Sequence, residues 1–401
     1  MILCSHMRSI LFLLVWWIAP PTKGYAQTSK PVAKLITRFG FVQLTGGVTV
    51  VQATVDAKQD TLNFILDTGC GGISIDSVTA MQMGFQMVQS QKTITGIAGK
   101  KQLWFSYNHT LHLPGLQIDS VHFHVNDYEI LSSAYGIKID GILGYGFLSR
   151  YLVAIDNDNM QLSVYTSGSY HYPSKGYLLK ANFASIPTMA ALVGDQKVAW
   201  QRFIFDTGAG ICMLFSENFV ADNQLLPAKR KRFATLAEGL GGKTDMQLTY
   251  VDKVQIGKYR FKKVPVYVFN DAYGVTAYPQ LGGLIGNDLL RRFNVVLNYQ
   301  QQHIHLLPNS HFKDPFDYAY SGLGVYQINH LVQVMDVVPH SPAEKAGFMV
   351  GDVIVAMDNQ FVHNVQPIKS ALQNAGTQVR FVVQRQQQLR LLSLKVKSIL
   401  H

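Results

Sequence analysis

The sequence predicts a mainly β chain of two related lobes followed by a smaller α+β module, and three observations predict it. The first is an internal repeat. Phe64-Ile65-Leu66-Asp67-Thr68-Gly69 returns later in the chain as Phe203-Ile204-Phe205-Asp206-Thr207-Gly208. Gly141-Ile142-Leu143-Gly144, with Leu148 and Arg150 after it, returns at nearly the same displacement as Gly283-Leu284-Ile285-Gly286 with Leu290 and Arg292. The second is patterning: Thr49 to Val55, Asn63 to Leu66, Val121 to Val125, Val264 to Phe269 and Val295 to Leu297 are rich in branched and aromatic residues and bounded by Gly, Asp or Asn, as strands are. The third is a change of pattern after the segment from Pro308 to Tyr320, which carries Pro308 and Pro315.

The elements follow in order. The first 26 residues read as a cleaved export signal: Arg8, then an apolar run from Ile10 to Ala19, then Pro20-Pro21, with Gly24 and Ala26 bracketing Tyr25 before Gln27. That run is far short of the ~20 residues of a spanning helix. The expectation is a chain exported to the periplasm or beyond, without a stable transmembrane anchor. The first lobe is assigned to residues 27–168 and the second to 169–310. Segments Tyr151 to Tyr165 and Phe293 to Leu307 read as matching hairpins around polar centres, and short helices are expected at Ser77 to Met83, Gly146 to Tyr151 and Leu289 to Phe293. Thr166 to Gly176, with Ser, Gly, Tyr and Pro173, is the crossing between lobes.

Composition narrows the function. At 401 residues, 48% hydrophobic and 15% charged, the chain can bury a sizeable core. Net charge is +10, or +8 once residues 1–26 with Arg8 and Lys23 are removed. The only dense basic run, Lys229-Arg230-Lys231-Arg232, reads as a solvated loop, so nucleic acid is not an expected partner. Cys70 and Cys212, all that remain after Cys4 of the signal, are too few for a disulfide scaffold, and whether they bond to each other is left open.

One Asp-Thr-Gly arises by chance about 0.1 times in a chain this long. Two copies do not, when each ends an apolar strand and each is followed, at almost the same distance, by an apolar-apolar-Gly segment. A carboxylate at a strand end needs a rigid turn to aim it, which glycine permits, and a hydroxyl to pin that turn. Lobes meeting about a pseudo-twofold axis bring Asp67 and Asp206 face to face, where like charges resist joint ionisation and share a proton. One carboxyl then serves as base to a water while the other donates to a carbonyl.

On these residues the chain resembles the aspartic proteases, specifically the bacterial retropepsin-like type with two fused lobes, over about residues 35–308. The resemblance implies a bilobal acid-protease fold of two pseudo-twofold-related β-barrel lobes and an aspartic endopeptidase acting on polypeptides as a monomer. It makes Asp67 and Asp206 catalytic, with Thr68, Gly69, Thr207 and Gly208 supporting their loops. It places Ile142-Leu143-Gly144 and Leu284-Ile285-Gly286 beneath those loops. It also implies glycine-rich flaps over the substrate, at Gly96, Ile97, Ala98 and Gly99 and at Gly239, Leu240, Gly241 and Gly242. No metal or organic cofactor is implied. Cys70 and Ala209 stand where pepsin-like relatives carry a hydroxyl beside each Asp, and losing those donors should raise the pair's apparent pKa and move its optimum to less acidic pH.

Residues 318–401 resemble a PDZ domain of exported bacterial proteases, on Ser321-Gly322-Leu323-Gly324-Val325 and on Ser341-Pro342-Ala343 through Gly351-Asp352. The resemblance assigns Gly322, Leu323, Gly324 and Val325 to the terminal carboxylate of a peptide ligand and Val365 to Asn374 to the groove helix. The rival reading is a catalytically inactive peptide-binding or adaptor protein of the cell envelope. Other motifs are expected to be structural. Ala237 to Thr244 imitates a phosphate loop but follows no apolar strand, and His122-x-His124 and His303-x-His305 read as solvent-facing strand positions rather than a metal grip. A nucleophilic Cys70 or Cys212 would need a paired His.

Overall fold

The computed structural model describes residues 31–96, 99–239, 242–270, 281–314, 316 and 321–400. The proposed signal, residues 1–26, lies outside them. Each lobe is a sheet of its own. The first has eight strands, ordered Val42–Gln43, Thr49–Val55, Leu62–Leu66, Gly141–Leu143, Ile73–Asp76, Leu116–Asn126, Gly99–Leu113 and Val88–Gly96, and an extra pairing of Thr49–Val55 with Gly99–Leu113 curls it toward closure. The second has ten strands and repeats its central arrangement: Val198–Asp206 runs parallel to Leu281–Gly286, as Leu62–Leu66 does to Gly141–Leu143.

Parallel central strands are covered on both faces, which removes the alternation of a half-exposed strand. That is why both repeats read as continuous apolar runs: Phe64, Leu66, Phe203 and Phe205 are fully buried, and Ile65 and Ile204 nearly so. Each such side chain contributes about 1.5–3 kcal/mol by leaving water.

A third sheet joins the lobes. Its order is Leu35–Gly40, Gln161–Tyr165, Leu152–Asp156, Phe293–Asn298, His303–Pro308 and Tyr177–Lys180, three strands from each copy, with Leu152–Asp156 and Phe293–Asn298 antiparallel at the centre. The two predicted hairpins are these central pairs. The order reads the same from either end, which is the expected pseudo-twofold. One apolar core runs through both lobes and this sheet, from Phe39 to Leu306.

The strands Thr49–Val55 and Val264–Phe269 stand where the sequence placed them. Two of the helices begin earlier than expected, at Tyr145–Leu148 and Asn287–Leu290. They start directly after Gly144 and Gly286, whose backbone turns the chain off the preceding strand. Two helices of the lobes were not anticipated, Glu129–Tyr135 and Glu217–Asp222. The first becomes important below.

The C-terminal module is a separate small sheet, ordered Leu323–Ile328, Leu331–Val337, Val353–Met357, Gln378–Arg385 and Gln388–Lys395, with helices Pro342–Lys345 and Val365–Ala371. It has its own core around Val334, Ile354, Phe381 and Leu394. Among the described residues no helix is long and apolar enough to cross a membrane.

Two expectations need correction, and one open question closes. His305 is buried rather than solvent-facing: its Nε2 lies 3.0 Å from the Pro173 carbonyl and its ring stacks on Tyr172. The strand belongs to the central sheet, so both its faces are covered. The basic run is not uniformly solvated, because Arg230 is drawn inward by ion pairs to Asp195 and Asp252 and lies over the Tyr250 ring. Cys70 and Cys212 are both free.

Candidate active site

The two Asp-Thr-Gly turns meet where the lobes join. Thr68 Oγ1 donates to the Phe205 carbonyl at 2.5 Å, and Thr207 Oγ1 donates to the Leu66 carbonyl at 2.9 Å. In return the Thr68 amide donates to Thr207 Oγ1 at 3.1 Å and the Thr207 amide to Thr68 Oγ1 at 3.0 Å. Both threonines are buried, so this reciprocal set satisfies groups that would otherwise be costly, about 1–3 kcal/mol for each left unpaired.

The glycines explain themselves by what they face. A Cβ on Gly208 would fall 2.3 Å from the Asp67 carboxyl carbon, and one on Gly69 would fall 2.6 Å from Asp206 Oδ2. Each carboxyl therefore rests on the other lobe's turn. The Gly69 amide donates to Asp67 Oδ1 at 2.6 Å, while Gly208 and Ala209 both donate to Asp206 Oδ1, at 2.9 and 3.0 Å.

Beneath each turn lies the second repeated segment. Leu143 accepts from the Asp67 amide, Gly144 donates to Gly72 and Tyr145 to Cys70. In the other lobe Gly286 donates to Cys212 and Asn287 to Ala209. A Cβ at Gly144 or Gly286 would strike the carbonyl of Cys70 or Ile211, at 2.3 or 2.2 Å.

Electrostatics follow from this enclosure. Burial first, and then the charge of Asp206, hold Asp67 well above the usual carboxylate range. Asp206 is raised by burial too, against hydrogen bonds from Asp67, Ala209 and Gly208 that pull it down. Both residues keep some surface toward the cleft, yet their carboxyls are enclosed on the remaining sides, and that enclosure disfavours a second charge. The pair therefore holds one proton into a pH range where isolated carboxyls have lost theirs.

The departure at Cys70 has a local consequence. Its Sγ points to the Gly72 carbonyl at 3.8 Å, and burial with the charge of Asp67 pushes the thiol up to about 12. Cys212 Sγ donates to Asp288 Oδ2 at 3.3 Å, and burial holds its thiol well above its ordinary range. Neither is a thiolate at ordinary pH, which argues against both as nucleophiles. Among the described residues no group of three His, Cys, Asp or Glu side chains is arranged to hold a metal.

The expected flaps are hairpins at the free edges of the two lobe sheets. Val88–Gly96 pairs with Gly99–Leu113 through Gly96 and Gly99, and Phe233–Gly239 pairs with Gly242–Val251 through Gly239 and Gly242. Their two-residue tips, Ile97-Ala98 and Leu240-Gly241, lie outside the described residues. The phosphate-loop imitation is thus the second hairpin, with no helix to receive a phosphate. The loop Gly322-Leu323-Gly324-Val325 lies far beyond Asp206 in sequence, at the start of the edge strand of the C-terminal module.

A family model described as aspartyl protease matches residues 51–147 and again 189–289, and a PDZ domain model matches 333–385. The chain is built of an aspartyl protease domain and a PDZ domain. Each protease segment runs from before its Asp-Thr-Gly to just past its second glycine signature, so both repeated halves carry the family pattern on their own. The PDZ match falls inside residues 318–401. No curated protein matches the chain.

Two residues at this site escaped the sequence reading. Tyr135 ends the helix Glu129–Tyr135, and its hydroxyl lies 2.8 Å from where a Cβ of Gly210 would stand; burial and then the charges of Asp206 and Asp67 raise it. Tyr299 lies beneath the pair, edge-on to Phe183, raised by burial and then by Asp67. Tyr299 sits in the polar centre of the second hairpin, which was the available signal. Nothing marked Tyr135.

Proposed function

We propose that this protein is an exported aspartic endopeptidase, hydrolysing peptide bonds by a water activated between Asp67 and Asp206. The observation that carries the reading is the reciprocal hydrogen bonding of Thr68 and Thr207, which fixes two carboxyls, one from each repeat, against each other's turns. Binding alone gives no reason to hold two acids in mutual repulsion.

The two carboxyls are unequal. Asp206 Oδ1 accepts the Gly208 and Ala209 amides, whereas Asp67 Oδ1 accepts the Gly69 amide. Two amides on one oxygen favour the charge there, so the cycle starts with Asp206 ionised and Asp67 carrying the shared proton. A water between them loses a proton toward Asp206 as its oxygen attacks the scissile carbonyl, and Asp67 donates to the carbonyl oxygen. Collapse of the resulting gem-diol breaks the C–N bond: the proton on Asp206 passes to the departing amine, and a gem-diol hydroxyl returns its proton to Asp67 as the carboxyl C=O forms. The two flap hairpins close over the polypeptide, and the PDZ domain assists by holding a peptide or partner.

Export rests on the apolar run Ile10 to Ala19, and its check is an N-terminus at Gln27 in the mature protein. The test of activity is cleavage of an unfolded mixed-protein substrate between pH 3 and 8. Asp67→Asn and Asp206→Asn should each lose about 10³-fold or more, while Cys70→Ser should stay active with its optimum moved to more acidic pH, because the restored hydroxyl lowers the pair's apparent pKa. Equal cleavage by wild type and both Asn variants would refute the reading, and peptide binding without cleavage in all forms would favour the adaptor.

A further inference from the structure

One helix of the first lobe reaches the PDZ domain. The edge strand Leu323–Ile328 of that domain pairs, among the described residues, on one side only, with Leu331–Val337, and packs against the helix Val365–Ala371. A polypeptide added to such an edge would lie between them. In this structure the C-terminal end of the cleft helix Glu129–Tyr135 packs against both.

The contact is made through three consecutive carbonyls. Lys369 Nζ donates to the Ala134 carbonyl at 2.5 Å, Gln366 Nε2 to Tyr135 at 2.7 Å and Asn364 Nδ2 to Gly136 at 2.7 Å. A helix leaves its last carbonyls without partners inside the helix, and they carry its partial negative charge. Gly136 is the cap, at φ 68°, and a Cβ there would fall 2.6 Å from Val365 Cγ1 and 2.7 Å from Gln327 Oε1. One of those atoms belongs to the groove helix and the other to the edge strand. Gly136 thus stands between the two walls.

Gln366 reaches further. Its Oε1 accepts from Thr45 Oγ1 at 2.8 Å, in the turn Thr45–Gly47. That turn and Tyr135 both press on the loop after Asp206: a Cβ on Gly46 would meet the Gly210 carbonyl at 2.2 Å. A single amide side chain therefore ties together the two segments of the first lobe that wall this part of the cleft. Beside it, a cavity of about 280 Å³ is shared by the protease loop at Gly210 and Ile211 and the PDZ loop from Ser321 to Val325.

We propose that the cleft helix is an internal ligand of the PDZ groove, so that an outside polypeptide C-terminus enters only by displacing it, and that Gln366 is a positioning residue for the substrate cleft. The outside ligand is a chain ending in an apolar residue with a free carboxylate, because glycine-flanked amides and the apolar Val325, Val338 and Leu372 line the open side. Occupancy of the groove does not depend on the protease reading; the effect of Gln366 on cleavage does.

The test uses the mature full chain and a fluorescein-labelled decapeptide ending in valine, followed by anisotropy. Gly136→Val places a side chain against both walls and should release the cleft helix, tightening peptide binding about tenfold, since the groove no longer has to open first. Equal or weaker binding by a folded Gly136→Val protein, or no binding by either form, overturns the proposal. Hydrogen exchange on the wild type decides the matter even if that variant misfolds: bound peptide should speed exchange at residues 129–136, and unchanged exchange there with peptide bound overturns it. For cleavage, Gln366→Ala should raise KM several-fold with kcat within about twofold. An unchanged KM removes the positioning role, and absence of cleavage in every form would sink the protease reading while leaving the binding result standing.

Discussion

Burial raises the Asp67 carboxyl well above its ordinary range, which has a cost for the folded chain. Its folded pKa lies above its unfolded value, so between the two the native state binds more protons than the unfolded state and stability falls as pH rises through that window. Asp67→Asn removes the titration but keeps the shape. The variant should therefore melt near the wild type at pH 3 and above it at pH 7, as measured by calorimetry. The opposite order at pH 7 would mean that the carboxylate is not disfavoured where it stands. The meeting of Asp67 and Asp206 was legible in sequence because Asp-Thr-Gly recurs with its neighbours. The inequality between the two carboxyls was not, since it depends on which amides happen to point at each oxygen.

The paired turns act as one element made from two distant pieces of chain. Strand, turn and second glycine segment were all readable, because a buried parallel strand must be apolar throughout and a close approach must be glycine. Gly208→Ala tests that element. Its Cβ would displace the Asp67 carboxyl rather than disturb the core, so the chain should still fold while kcat falls about 10²-fold. A retained kcat would show that the carboxyl moves without consequence. The helix Glu129–Tyr135 was not legible, because it is short and fully buries none of its residues; Leu131 and Tyr135 pack on the first lobe, and contacts with the PDZ domain, far away in sequence, hold its C-terminal end. His305 failed for the related reason that a strand's exposure depends on what covers its sheet.

At the scale of the whole molecule, the repeat supplies both acids from one chain, and the central sheet binds the halves through Leu152–Asp156 and Phe293–Asn298. Cleavage per molecule should then be independent of protein concentration, in a dilution series from micromolar to nanomolar. A loss of specific activity on dilution would mean that a second chain completes the site. The two-lobed order and the separate C-terminal module could be read from the repeat and the proline-bearing linker. The docking of that module onto the cleft wall could not, because polar side chains such as Gln366 and Asn364 give no hint in sequence of the carbonyls they will meet.

In the proposed function Asp67 and Asp206 share one proton and cleave peptide bonds with it. The most direct test is the pH dependence of kcat/KM for a peptide substrate. The profile should be a bell with its maximum above about pH 3, one limb for loss of the shared proton and one for gain of a second, with activity across the whole bell abolished in Asp67→Asn. A wild-type maximum at or below about pH 3, or a bell that survives in Asp67→Asn, would contradict it.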